Sequence, residues 1–405
     1  LITPSLDEMA FVAEQMQRRG MNLPLMIGGA TTSQLHTAVK IAPGYESPVI
    51  HVKDASLVTQ VCNELNGEKK SAYVSELRRL QGEMREAFAR RASAKKLLPL
   101  TQARLRAFKS EAGARPEPGR LGVFDLDVSV RELLSYVDWS PFFWTWDLKG
   151  KYPAILQHPK YGSSAQALWK DAQALLKRMI DEDWTTLRAR IGIFKATSVN
   201  ETVNLENAPV SAVHFMRQQA EPEKADAPLL SLADFIAPSG SDYLGAFAVT
   251  SGEELGVKAR EFETRGDDYS AIIVKALADR LAEGLAEYAH LKFRELCGLR
   301  EDLTVEQLIK EEYDGIRPAP GYAACPDHTL KGDIWKLLGG SDKIGARLTE
   351  SFAMAPAATV AGFMFLHPAA RYFSVGTVGE DQWQELARLR NTDPKQVERF
   401  VAFGV

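Results

Sequence analysis

The sequence predicts two unlike parts: a half domain of α/β type with a doubly wound parallel sheet, then a larger α+β domain with a mainly antiparallel sheet. Three observations carry that expectation. Short apolar strands alternate with capped amphipathic helices over residues 1–66. From about residue 92 the alternation is lost, and strands and helices follow in irregular order. Near the end, residues 360–366 and 372–378 read as two strands of a hairpin joined through His367-Pro368-Ala369-Ala370. Strict strand–helix alternation builds parallel sheets, because each crossover helix returns the chain to the same starting edge.

Leu1-Ile2-Thr3 reads as the end of a buried strand, and with no Met before it the chain reads as a fragment of a longer protein. Ser5-Leu6-Asp7-Glu8 is a capping-box signature, in which side chains at both ends satisfy the first unpaired backbone donors of a helix. Met9, Val12, Ala13 and Met16 then recur at helical spacing, and Gly20 takes the position just past the helix. Residues 23–27 form a short apolar strand stopped by Gly28-Gly29. Thr31-Thr32-Ser33 offers caps for a helix to about Ile41. Residues 49–52 are the next strand and 55–65 the next helix. Ligands of doubly wound sheets bind beyond the carboxyl ends of the strands, here Thr3, Gly28-Gly29 and Lys53-Asp54-Ala55.

Residues 67–91 are charged and helix-prone and read as a helical connector, and residues 112–119 as an irregular loop. The division is 1–75 for the half domain, 76–91 for the linker and 92–405 for the larger domain. Within the latter, Leu168, Trp169, Ala172, Leu175, Leu176 and Met179 form a helical stripe. Residues 192–196, 202–205, 210–215 and 246–250 read as strands, and 271–296 as a long amphipathic helix. Asp393-Pro394 opens a last helix with Pro at its first position, where a missing N–H costs nothing.

Composition narrows the function. The 405 residues are 45% hydrophobic and 25% charged with a net charge of −4, which is ordinary globular chemistry without the basic stripe of a nucleic-acid binder. Cys62, Cys297 and Cys325 are far apart and odd in number, so neither a disulfide framework nor a thiolate metal site is indicated. That usage fits a reducing cytoplasm. No apolar run reaches the length of a membrane span, and no signal peptide is present. No two histidines are spaced as a metal motif.

Four segments could carry chemistry. In Gly315-Ile316-Arg317-Pro318-Ala319-Pro320-Gly321-Tyr322, alternate prolines stiffen the backbone between an arginine fork and a glycine. That arrangement suits a bound carboxylate, or else a rigid surface turn with a solvated arginine. Asp138 precedes the aromatic run Trp139 to Trp146, which could wall a pocket for an ammonium or sulfonium group, or be an aromatic core with Asp138 as a cap. Asp279, Glu283 and Glu287 share one helix face, with Lys275 and Arg280 placed to pair with them, as a solvated face or as a carboxylate reaching a ribose diol. Tyr372-Phe373 sits on the expected hairpin, where only one of two neighbouring side chains can face a given pocket. Cys325-Pro326-Asp327-His328 follows the proline segment, and His328 reads as a structural residue.

These segments together resemble the C-terminal part of cobalamin-dependent methionine synthases. The resemblance rests on Leu-Ile-Thr-Pro-Ser-Leu-Asp-Glu-Met (1–9), Ile-Gly-Gly-Ala-Thr-Thr-Ser (27–33), His-Thr-Ala-Val-Lys-Ile (36–41), residues 136–143, 245–250, 274–283 and 349–354, Gly-Ile-Arg-Pro-Ala-Pro-Gly-Tyr (315–322) and Tyr372-Phe373. It implies a Rossmann-like, flavodoxin-like half of a cobalamin-binding domain, followed by an activation domain that binds S-adenosylmethionine (AdoMet).

The resemblance also implies roles. Thr3, Ser5, Gly28, Gly29 and Ala55 would contact cobalamin, and Ser5 would end a relay from the cobalt-ligating histidine. Asp138 would bind the amino group of AdoMet, Arg317 its carboxylate and Glu283 its ribose. Gly321, Tyr322, Tyr372 and Phe373 would complete the pocket. The implied activity is reductive remethylation of cob(II)alamin from AdoMet, within an enzyme that carries methyl from methyltetrahydrofolate to homocysteine. Implied partners are the enzyme's N-terminal modules, one holding zinc for homocysteine, and a flavodoxin-type reductase. The alternatives are a regulatory AdoMet- or cobalamin-binding module and a reductase-docking surface, both without methyl transfer. Three departures stand out: no Asp-x-His-x-x-Gly segment for the lower cobalt ligand, Phe373 where many members have Tyr, and Met354-Ala-Pro-Ala-Ala358 without the Trp and Gly of some members.

Overall fold

The computed structural model describes residues 3–28, 32–53, 57–94, 96–109, 117–222, 224, 226–299 and 302–401. Helix α1 (Thr3–Arg18) starts earlier than the capping-box signature implies. Thr3 is therefore helical rather than the end of a strand, and the Ser5 backbone lies within the first turn rather than before it. Pro4 explains the shift, since the first turn has no use for its missing donor. The other end of α1 is as expected. Gly20 is left-handed (φ +64°), and the Gly20 and Met21 amides donate to the carbonyls of Gln17 and Met16, closing the helix with a Schellman motif.

Strand β1 (Leu25–Ile27) leads to α2 (Gln34–His36), capped by Ser33 Oγ, which accepts from the His36 amide at 3.0 Å. The helix then widens to a π turn over Thr37–Ile41. Strand β2 (Val49–His51) pairs parallel with β1, Leu25 opposite Val49. Val49 packs with Ala13, Ile27 and Ile41 on one side, while Ile50 packs with Val52 and Leu65 on the other. Alternate β2 side chains thus pack into two separate apolar clusters, one on each side of this two-stranded parallel sheet. After α3 (Val58–Asn66), the expected connector forms as one helix, α4 (Lys70–Ala94). It packs back on this unit: Gln81 Nε2 donates to the Val49 carbonyl at 2.8 Å and Arg85 to that of Ala38 at 3.1 Å.

The larger region opens with α5 (Leu100–Leu105), β3 (Gly122–Leu126), α6 (Val130–Leu133), α7 (Ser140–Trp144) and α8 (Gly162–Asp181), the last burying the expected Leu168–Met179 stripe. Most of the loop expected at 112–119 lies outside the described residues. Then come β4 (Arg188–Val199), β5 (Thr202–Leu205), β6 (Ala212–His214) and β7 (Asp242–Thr250). Helices α9 (Glu254–Thr264), α10 (Asp268–Leu296), α11 (Val305–Ile309), α12 (Leu330–Leu337) and α13 (Ser341–Ile344) precede the short pair β8 (Arg347–Leu348) and β9 (Met354–Ala355). The chain closes with β10 (Thr359–Met364), α14 (Glu380–Arg390) and α15 (Pro394–Arg399).

One antiparallel sheet organises this region in the order β10-β7-β4-β5-β6. The second edge of β4 is shared, by β3 over residues 189–193 and by β5 over residues 196–199. Every residue of β7 is buried, so both faces of the sheet are covered. Ile191, Ile193, Phe247 and Val249 face α8 and α10, whereas Phe194, Leu244, Ala246 and Ala248 face α12. Gly245 allows α10 its close approach, because a Cβ there would fall 2.8 Å from the Phe293 ring.

The expected hairpin does not form. Residues 372–378 are not a strand, and the free edge of β10 is taken by the segment carrying Arg317. Ile316 exchanges backbone hydrogen bonds with Phe365 at 3.0 and 2.9 Å, and the Phe363 amide donates to the Pro318 carbonyl at 3.0 Å. Pro318 lacks a donor but keeps its acceptor, so it can end such a pairing on its carbonyl side. Val375 is drawn instead to the Ala323 carbonyl at 2.9 Å.

Candidate functional site

A cavity of about 790 Å³ opens where three of the four chemistry-bearing segments meet. One wall is α10, contributing Asp279, Arg280 and Glu283. The second is the extended segment Arg317–Pro320 with Tyr322. Residues Met354, Ala357, Ala358 and Thr359 close it together with both Tyr372 and Phe373, contrary to the expectation that only one of the two could face a pocket, because this stretch is not a strand and its side chains do not alternate. Of the seven residues expected to hold AdoMet, five line this one space: Glu283, Arg317, Tyr322, Tyr372 and Phe373. They come from three stretches far apart in the chain.

Gly321 lies behind the same wall. Its φ of +99° is open to glycine but strained for other residues, and a Cβ would stand 2.1 Å from His328 Cε1. The tight backbone between Pro320 and Tyr322 is thus fixed from behind by a buried imidazole. Tyr322 and Tyr372 remain about half exposed at the mouth, as aromatic faces available to a flat ligand.

Arg317 is held rather than solvated. Its Nη2 pairs with Glu287 Oε2 at 2.8 Å and Glu311 Oε1 at 3.1 Å, Nη1 contacts the Tyr313 hydroxyl, and its backbone amide donates to the Tyr372 hydroxyl at 3.2 Å. Burial pushes the Glu287 carboxyl up, and Arg317 pulls it back towards the charged form. Desolvation likewise raises the Tyr313 and Tyr372 hydroxyls, so both stay protonated at neutral pH. Arg294 stacks on the far face of Tyr313, 3.9 Å from its ring centroid. His290 beside them is held neutral by burial and by the positive charges of Arg294 and Arg317.

The acidic face of α10 therefore divides in two. Asp279 and Glu283 look into the cavity, and Glu287 turns inwards to anchor Arg317. Lys275 does not pair with this face as expected; it reaches Glu263 on α9 at 2.5 Å, because the packing of α9 against α10 puts that carboxylate closer.

Asp138 is placed differently from the expectation. It does not line the cavity, and its Oδ1 accepts from the Ser140 amide at 2.9 Å, a local bond two residues along at the start of α7. The aromatic run behind it is core: Trp139, Phe142 and Phe143 are buried and pack edge-on with one another and with Trp169. Asp138 is nevertheless near the α10 wall, since Val137 packs against Gly284, the neighbour of Glu283.

Lys331 lines the cavity although it is only 2% exposed, and the sequence reading missed it. Its one sequence signal is its place three residues after His328, in the first turn of α12. Met354, Ala357 and Ala358 show that the departure at 354–358 bears on the cavity wall itself.

At the N-terminal sheet, Gly28 ends β1 beside Val52, whose carbonyl lies 3.4 Å from where a Cβ would sit. Gly29 and Ala55 lie outside the described residues, as do the side chains of Thr3 and Ser5. Among the described residues no group of three His, Cys, Asp or Glu could hold a metal ion, and no helix is long and apolar enough to cross a membrane.

Comparison with known proteins identifies the family. Residues 129–391 match the family described as vitamin B12 dependent methionine synthase, activation domain. Among solved structures, the MetH reactivation domain bound to S-adenosylhomocysteine (AdoHcy) is similar at 42% identity and a TM-score of 0.73, covering 76% of this chain and 99% of that one. The matched span contains every element that walls the cavity, and the chain belongs to the family of vitamin B12-dependent methionine synthase activation domains.

Proposed function

We propose that the 790 Å³ cavity holds AdoMet and presents its methyl group for reductive remethylation of enzyme-bound cobalamin. The observation that carries this is the convergence of Glu283, Arg317, Tyr322, Tyr372 and Phe373 on one space, in a chain similar to a domain solved with AdoHcy.

Each side chain has a task that follows from its chemistry. The Arg317 guanidinium, oriented by Glu287, offers charge to the ligand carboxylate, and charge-assisted hydrogen bonds are the stronger kind. The Tyr372 hydroxyl accepts from the Arg317 amide, which leaves its own hydrogen to donate to the same carboxylate. Asp138 keeps one oxygen on α7 and offers its charge to the ligand ammonium. Glu283, exposed on α10, bonds the ribose diol. Gly321 keeps the backbone flat beside the ligand, with Tyr322 and Phe373 against its apolar parts. The contribution is positioning, since none of these groups need move a proton.

Cobalamin, when bound, supplies the methyl-accepting cobalt. Residues 1–75 fit one half of a flavodoxin-like cobalamin domain, with 76–91 as the linker and 92–405 as the activation domain. Gly28 suits a group passing close to the backbone at the end of β1, and Thr3, Ser5, Gly29 and Ala55 are proposed beside it. The other modules of the enzyme, including the one with zinc for homocysteine, and a flavodoxin-type reductase are the proposed partners. Cys62, Cys297 and Cys325, none of them in a disulfide among the described residues, suit the cytoplasm.

The test is calorimetric titration of the full chain with AdoMet and AdoHcy, followed by addition of the chain to the complementary modules with a reductant. Saturable binding and AdoMet-dependent remethylation are expected. Absence of binding to the wild-type chain would overturn the reading.

A further inference from the structure

Two motifs singled out in the sequence border the cavity, Cys325-Pro326-Asp327-His328 behind Gly321 and the Thr349–Met354 stretch at the opposite end of Lys331. The structure joins them through one buried side chain. The Lys331 ammonium contacts His328 Nδ1 at 2.8 Å and donates to the Phe352 carbonyl at 3.0 Å. His328 is 1% exposed, and burial together with the Lys331 charge pulls its pKa down to about 3. The ring is therefore neutral, with Nδ1 as acceptor and the proton on Nε2. Its Cε1 edge fills the place where any residue but glycine would put a Cβ at position 321. Phe352 is itself left-handed (φ +59°), at the end of a turn in which its amide donates to the Thr349 carbonyl. Ala353 and Met354, which line the cavity, follow directly.

We propose that Lys331 and His328 are a positioning pair that sets the width of the cavity. Lys331 ties the wall at Ala353–Met354 to the wall at Gly321–Tyr322, acting on the second wall through the His328 ring. Neither needs to touch the ligand for this role. A buried ammonium is costly, and a hydrophobic residue could fill the same volume. A lysine at this point is explained by the acceptors His328 Nδ1 and the Phe352 carbonyl, the first packed behind Gly321 and the second next to Ala353.

The proposal rests on the AdoMet-binding reading for its effect on affinity, but its structural half is independent of any ligand. Hydrogen exchange on the full chain therefore comes first, comparing wild type with Lys331→Met and Lys331→Gln. Lys331→Met is expected to speed amide exchange at residues 319–325 and 350–355 at least tenfold, with β4 and β7 unchanged. Lys331→Gln keeps two donor hydrogens and is expected to restore most of the protection. Unchanged exchange, or a uniform rise across the chain, would overturn the pair. Titration with AdoHcy then reads the consequence. Lys331→Met should bind at least tenfold more weakly, Lys331→Gln less so, and Lys331→Met with His328→Gln no more weakly than the worse single variant. Additive losses would show that Lys331 does not act through His328. A wild-type chain that binds no AdoHcy would sink the AdoMet reading, while the exchange pattern would still decide the pair.

Discussion

Glu287 Oε2 lies 2.8 Å from Arg317 Nη2, with the glutamate side chain 6% and the arginine 16% exposed. A helix of the main core and a proline-stiffened edge segment are joined by this one buried pair. The arginine faces the cavity with its orientation already set, so a ligand carboxylate need not order a flexible side chain.

Removing the anchor should cost stability as well as binding. Glu287→Ala leaves the Arg317 charge without its buried partner, and a loss of about 3–5 kcal/mol is expected. Urea unfolding followed by circular dichroism checks this. A change near zero would mean that Glu311 alone suffices to hold the guanidinium.

Removing Arg317 should weaken ligand binding, and it should also cost stability because the buried Glu287 carboxyl loses its cation. Arg317→Ala is expected to weaken AdoHcy binding by about 1.5–3 kcal/mol through the lost charge-assisted hydrogen bond. The matching control is 5′-methylthioadenosine, which has no carboxylate and should bind both proteins alike. Equal losses for both compounds would place Arg317 away from the carboxylate.

Asp138 can be split into its two tasks. Asp138→Asn keeps an oxygen for the Ser140 amide but removes the charge. Stability within about 0.5 kcal/mol of wild type is expected, since the bond to the Ser140 amide survives. AdoHcy affinity should fall about tenfold, a loss of about 1.4 kcal/mol. Wild-type affinity in this variant would leave Asp138 with its local backbone bond alone.

Gly321→Ala meets both a positive φ and an occupied Cβ position. A destabilisation of at least about 1–3 kcal/mol is expected from the strained backbone, before the clash with His328 is added. Adding His328→Ala should relieve the clash and leave the φ strain. Thermal unfolding of the single and double variants measures the two contributions apart.

Stability should fall in mild acid. Burial and the nearby Arg390 charge lower the His214 pKa to about 4, and that of His328 is about 3. Below the ordinary histidine value of about 6.5 the unfolded chain takes up protons that the folded chain refuses, so unfolding gains. The contribution of each ring is therefore complete above pH 6.5 and declines as the pH falls towards its folded value. Urea midpoints at pH 7, 6 and 5 should decrease in that order, and His214→Gln should flatten part of the slope. A midpoint that does not move would show that both rings titrate normally.

Most elements were legible locally. Gly20, Ser33 and Asp393 act on backbone groups within a few residues, so the end of α1, the start of α2 and the start of α15 could be read from neighbours in the chain. The Leu168–Met179 stripe and the long α10 followed from periodicity for the same reason. Where expectation failed, a distant group decided in two cases and an adjacent proline in the third. The edge of β10 went to Ile316–Pro318 instead of residues 372–378, Lys275 turned to Glu263, and Pro4 drew the start of α1 ahead of Ser5.

What the sequence by itself determined is most of the elements, the parallel start and the antiparallel remainder, and the family, because helix ends, periodicities and an eight-residue motif are written in consecutive residues. What only the tertiary structure decided is which polar groups share a space. Glu287 and Glu283 are one turn apart on α10, yet one anchors an arginine in the core while the other faces the cavity. Lys331, unremarkable in the chain, becomes part of the wall. Burial and pairing depend on what the rest of the fold brings opposite a side chain, and no local pattern contains that.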